Sequence, residues 1–267
     1  MISKRSAFEA EWRKFQKKEQ KFLTEREAKK DIFLNQKLAE RIPPKLQEQL
    51  DKAFAKAFRM IFEKGTGVIE KTYRKEELQN TFQINEYADE VRQTRKSLKV
   101  FEKKAEASGR INMLVSGVAG IGMGAVGVGL PDVLVFTGVI LRSVYEIALN
   151  YGYDYESEGE RRFLLLLIEG AVSYGTDMRA VDSLIDDYIQ RGEVPEDYKE
   201  EWQIEQTAAG LSGELLYMKF LQGIPIVGAV GGAYDVVYLK KITEYANLKY
   251  KKRFLMKKKL EYTERKR

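Results

Sequence analysis

"GVAGIGMGAVGVGLPD", residues 117–132, is the stretch on which the reading of this chain turns. It holds six glycines, and Gly122, Gly124 and Gly127 fit G-x-G-x-x-G. A dinucleotide fingerprint needs a strand before the glycines and an uninterrupted helix after them, so that the helix N-terminus meets the pyrophosphate. Here Gly129 and Pro131 interrupt any helix that would follow, and no strand alternation precedes. There is no G-x-x-x-x-G-K-[ST] either. No nucleotide is expected at Gly122–Gly127.

Two readings remain. Ile111–Leu130 is free of charge and about long enough to cross a bilayer. A two-span arrangement would use 111–130 and 220–239, with both basic ends on the inside, as the positive-inside rule asks. Against it, glycine costs roughly 1 kcal/mol per residue in a helix. Alternatively the glycines are packing faces. Ser116, Gly120 and Gly124 recur every four residues, as do Gly228 and Gly232. Small residues at that spacing let two helices touch backbone to backbone, in lipid or in a core. The packing reading is preferred, and membrane contact is compatible with it.

Working outward, a charged N-terminal helix is expected within 1–41, with Phe8, Trp12, Phe15 and Phe22 on one stripe. "IPP" at 42–44 ends it. The next helix has the face Leu46, Leu50, Phe54, Phe58, Ile61 and Phe62. Shorter helices follow at 68–79 and 87–107, with "SGR" at 108–110 as a break. Pro131 and Asp132 suit a helix start. That helix buries Val133, Phe136, Ile140, Val144 and Ile147, and Gly152 closes it as a left-handed cap. Further helices are expected at 158–174, 178–191, 203–221 and 225–262. The fold class is all-α: a multi-helix bundle with a core over 42–248 and a basic tail at 249–267.

The 267 residues include no cysteine and no histidine. Disulfides, thiolate metal sites, Ser-His-Asp chemistry and histidine acid–base catalysis are excluded. An enzyme would have to run on carboxylates, Lys, Tyr or Ser, and no catalytic residue, cofactor or metal site is assigned. The net charge of +6 conceals a division. Residues 132–219 carry seven basic against eighteen acidic side chains, which leaves +17 for the rest. The tail alone has ten basic and two acidic residues. Such ends suit anionic lipid, nucleic acid or the protein's own acidic middle. Nucleic acid ranks last, because bases and aromatics are not interleaved as stacking platforms.

Several side chains merit placing. Asp182, Asp186 and Asp187, with Asp177, offer oxygen ligands for a divalent cation; a solvated acidic face is the preferred alternative. Asp132, Glu146 and Asp235 are acids in apolar surroundings. Arg142 lies one helical turn from Glu146, whereas Asp235 has no evident partner. Tyr145, Tyr151, Tyr153 and Tyr155 suit a membrane-interface belt or a core cap. Trp12 suits lipid or the body of the protein.

The order of "IPPKLQEQLDKAFAKAF" (42–58), "GVAGIGMGAVGVGLPDVLVFTGVILRSVYEIALNYGYD" (117–154) and "IPIVGAVGGAYDVVYLKKITEYANLKYKKRF" (224–254) resembles the EcsC family of bacterial proteins. The resemblance runs from about residue 10 to 255 and implies an accessory role beside an ABC-type transporter, with no catalytic residue to carry over. The N-terminal stretch shows no secretory signal. The expectation is therefore a non-enzymatic cytoplasmic protein, peripheral to the inner face of the cell membrane, with an anionic surface and transporter subunits as partners. Two alternatives stay open: a histidine-free metal-dependent hydrolase or lipid-modifying enzyme using acids of 150–202, and a two-span membrane protein.

Overall fold

The computed structural model describes residues 4–27, 42–63, 67–123, 130–221 and 233–264. Within them the chain is helical throughout its regular structure, with no strand among the described residues. The helices are α1 (Lys4–Glu27), α2 (Pro44–Glu63), α3 (Gly67–Glu70), α4 (Lys75–Arg92), α5 (Arg95–Met123), α6 (Leu130–Asn150), α7 (Glu158–Val172), α8 (Gly175–Arg191), α9 (Glu200–Leu221) and α10 (Ala233–Glu264).

Two helices form the middle. On α6 the expected face, Val133, Phe136, Ile140, Val144 and Ile147, is buried and meets α2, α5 and α10. On α7 every residue from Phe163 to Ile168 is buried, because a helix apolar on all sides must be enclosed on all sides. Helices α8, α9 and α10 enclose it. Ser157 caps its start, its hydroxyl accepting from the Glu160 N–H at 3.2 Å, which satisfies one of the orphan donors of the first turn. Gly152 has φ +79°, the left-handed cap expected after α6. A Cβ there would also lie 2.2 Å from Phe82 Cζ.

The division after α3 differs from the expected one. Helix α4 spans the gap expected between 79 and 87. It ends at Gln93, whose φ of 46° lets its N–H reach the Asp89 carbonyl at 2.7 Å. Thr94 and Ser97 then cap α5 reciprocally, with N–H to hydroxyl distances of 3.1 and 3.0 Å. From there α5 continues through "SGR" without the expected break. Gly109 lies where α5 packs along α10, and a Cβ on it would make an ordinary contact with Thr243 Cβ at 3.5 Å. Tertiary packing outweighs glycine's weak helix propensity here.

Several expectations lie outside the described residues and side chains: the helix over 28–41, the packing of Ser116, Gly120 and Gly124, and that of Gly228 and Gly232. Close glycine packing is present elsewhere. A Cβ on Gly170 of α7 would lie 2.7 Å from Tyr245 Cε1 of α10. One described helix is long and apolar enough to cross a membrane, Val133–Asn150 of α6, and 72% of it is buried inside the protein. It is a core helix, and it coincides with neither of the two spans weighed from the sequence.

Candidate functional site

The basic C-terminal stretch meets the protein's own acids. From Lys249 to Lys258 it is the second half of α10 and lies within the bundle. Lys249 Nζ is fully buried and reaches Asp182 Oδ1 at 2.7 Å, Asp186 Oδ1 at 2.8 Å and Glu19 Oε1 at 3.1 Å. Lys252 bridges Glu19 at 3.0 Å and Asp186 at 2.7 Å. Lys251 bridges Glu11 at 3.0 Å and Glu102 at 2.7 Å. Arg253 pairs with Glu160, and Lys258 with Glu86 at 3.2 Å. At 100° per residue these five cations point in different directions. They tie α10 to α1, α4, α5, α7 and α8 at once.

Burial alone would lower the Lys249 pKa, but Asp182, Asp186 and Glu19 outweigh it and hold it above the usual lysine value. Burial would likewise raise Glu11 and Glu102. Hydrogen bonds from Arg95 and Lys251 to Glu11, and from Lys251 to Glu102, hold both below the usual carboxylate range. Glu160 is pushed up by burial, against the pull of Arg253 and the Tyr250 and Tyr188 hydroxyls.

The acidic group read as a cation site is thereby accounted for. The cation that Asp182 and Asp186 hold is the Lys249 ammonium, and Asp182 also accepts from the Tyr245 hydroxyl at 2.6 Å. Asp187 and Asp177 are exposed and take no part. Among the described residues no group of three or more His, Cys, Asp or Glu is placed to hold a metal ion. Glu146 pairs with Arg142 at 2.8 Å, as their spacing indicated. Asp132 and Asp235 fall in the first turns of α6 and α10, where a carboxylate is favoured; their side chains lie outside the described residues.

The tyrosines belong to the core. Tyr145, Tyr151 and Tyr155 are all but inaccessible. Tyr145 stacks on Tyr155 with ring centroids 4.0 Å apart, and the Tyr155 hydroxyl donates to Glu70 at 2.5 Å. Trp12 packs on the body between Phe8 and Phe15.

Two features are open to a partner. The first is a basic face. On α1, Arg13, Lys14 and Lys17 are exposed; on α5, Lys96 and Lys103 are exposed and Lys99 half-buried. None has a carboxylate partner among the described residues. Lys96, Lys99 and Lys103 recur at three and four, so they share one stripe. It borders the stripe of Arg95 and Glu102, which meets α1 through Glu11 at 3.0 Å and Lys18 at 3.2 Å. The two sets of cations therefore lie side by side. Helix α4, just before, exposes Ile84, Tyr87 and Val91.

The second is a cleft of about 650 Å³ between α1, α5 and α10. Phe22, Ala105, Gly109, Thr243, Asn247 and Leu248 line it. Lys18, Lys240 and Glu244, all exposed, stand at its edge with Glu106. Lys18 and Lys240 have Glu106 and Glu244 within 3.8 Å, so the edge carries balanced charge. Sequence periodicity does not reveal this cleft, because its walls are 18, 105 and 247 residues into the chain and meet only when α10 is in place.

Gly122 lies in the last turn of a helix, where a nucleotide fingerprint requires the end of a strand. The class this defines is an all-helical bundle closed around its own basic last helix. A model of the EcsC protein family matches residues 9–255, and the chain belongs to that family. No curated protein and no solved structure matches it.

Proposed function

We propose that this protein is a non-enzymatic accessory protein that docks on the anionic cytoplasmic face of the cell membrane, beside an ABC-type transporter or a secretion system. The observation that carries the reading is the α1–α5 face, where Arg13, Lys14, Lys17, Lys96, Lys99 and Lys103 stand together without carboxylate partners. Lysines that the fold could neutralise internally, Lys249, Lys251 and Lys258, are neutralised. Each basic residue near an anionic surface contributes about 1 kcal/mol of attraction. Ile84, Tyr87 and Val91, exposed on α4, offer an apolar contact as well. The transporter is what the EcsC resemblance implies. The lysines of the basic tail from 249 to 258 face mostly inward, so this reading gives the docking role to α1 and α5.

The test is flotation of the full chain with liposomes. Binding is expected to anionic vesicles at low salt and to fall as the screening length drops to about 10 Å near 0.1 M. The triple variant Lys96→Glu, Lys99→Glu, Lys103→Glu is expected to bind at least about a hundredfold more weakly. Equal binding to neutral and anionic vesicles at every salt concentration sinks the proposal.

A further inference from the structure

We propose that the cleft between α1, α5 and α10 is a binding site for one acyl-ester amphiphile. Its walls are apolar where they are deep: Phe22, Ala105, Leu248 and the Gly109–Thr243 contact. Its volume of about 650 Å³ falls in the range of small-molecule sites, about 300–1,000 Å³. Two buried polar residues break the apolar lining, Thr243 and Asn247, and the Thr243 hydroxyl already donates to the Lys240 carbonyl at 3.1 Å. Asn247 is 7% exposed, and its Oδ1 accepts from the Tyr151 hydroxyl at 2.7 Å. That bond assigns the orientation of the amide and leaves Nδ2 as the donor. Among the described residues Nδ2 has no hydrogen-bond partner. Nδ2 is open to solvent, and a ligand that fills the cleft covers it, so only one that brings an acceptor oxygen avoids leaving a buried donor unmade.

The edge selects the rest of the ligand. Lys18 with Glu106 and Lys240 with Glu244 carry no net charge, so an uncharged polar head suits them better than a carboxylate or a phosphate. An apolar chain, a carbonyl acceptor and an uncharged head together describe a monoacyl ester. The proposal rests on the membrane-surface reading only for the source of the ligand, since the cleft is built from α1 and α5, the helices that carry the basic face.

The experiment is calorimetric titration of the full chain with a medium-chain monoacylglycerol below its micelle concentration. Saturable binding at one per chain is expected. Asn247→Leu, which keeps the bulk and removes the donor, is expected to weaken it about tenfold. Thr243→Leu, which fills the cavity, is expected to abolish it. Both variants are first checked for the parent's thermal unfolding, and Asn247→Ala serves in place of Asn247→Leu if that variant melts early. Absence of saturable binding to the folded parent overturns the site. So does binding that neither variant alters, or tighter binding of the free fatty acid than of the ester. Vesicle flotation in the same variants separates the two proposals. It should be unchanged by Asn247→Leu and reduced by the Lys96, Lys99 and Lys103 reversals, which should leave the monoacylglycerol titration as it was.

Discussion

Lys249 shows how much one side chain organises here. An ammonium with no solvent exposure is tolerable only if opposite charge surrounds it, and Asp182, Asp186 and Glu19 do so. Removing it leaves those carboxylates close together and partly buried. Lys249→Met is expected to cost about 3–5 kcal/mol, the usual penalty for breaking a buried pair from one side. Urea unfolding measures it, and adding Asp182→Asn should recover part of the loss. The Lys249 pKa is raised on folding. Its contribution is therefore complete below its unfolded value of about 10.4 and disappears only as pH climbs through the higher folded value. A stability profile flat from neutrality to about pH 10 at this site is the expected result.

At the scale of elements, glycines that look alike in sequence behave differently. Gly170 faces Tyr245, whose ring is fixed by a hydroxyl bond to Asp182 at 2.6 Å and by stacking on Phe22 at 5.5 Å. A Cβ there would come within 2.7 Å of that ring and 3.2 Å of Val181 Cγ1. Gly170→Ala is expected to destabilise by about 1–3 kcal/mol, as overpacking does. Gly138, inside α6, has nothing within 4 Å of its absent Cβ. Gly138→Ala should gain about 0.5–1 kcal/mol from helix propensity alone. Thermal unfolding of the pair checks both signs. Helix α10 supplies the element-scale prediction of largest effect. Deleting 249–267 removes Lys249, Tyr250, Phe254, Leu255 and Lys258 from the interior. Loss of soluble folded protein is expected, read by circular dichroism, rather than a folded protein with weaker membrane binding.

For the whole molecule, the ionic contacts predict an acid limit. Glu11 and Glu102 are held below their ordinary values. Their stabilisation is complete above the unfolded value of about 4.3 and is lost as pH falls through the depressed folded values. Glu160 and Glu169, pushed up by burial, work in the opposite direction and offset part of this. A net loss of helicity below about pH 4 is expected, beginning where α10 leaves α1 and α5. In Lys251→Met the partner common to Glu11 and Glu102 is gone. Stability at neutral pH should drop, and its dependence on acid in this range should shrink. Circular dichroism across an acid titration of both proteins decides it.

The sequence by itself determined the helical class, because apolar residues recur at helical spacing on α2 and α6, and because Pro131 and Gly152 bracket α6. It determined the Arg142–Glu146 pair too, since both lie on one helix a turn apart. The order and spacing of the quoted segments carried the family. Tertiary structure alone decided the rest. No local pattern shows that Lys249 meets Asp182 or that Asn247 lines a cleft opposite Ala105, since these partners are far apart in the chain and on different helices. The helical period also says which residues share a face but not what covers it. The continuity of α5 through Gly109 goes with its packing along α10, which no local pattern shows. For the lysines of 249–258 the sequence left lipid, nucleic acid and the protein's own acids all open, because sequence registers charge and only packing registers the carboxylates placed opposite it.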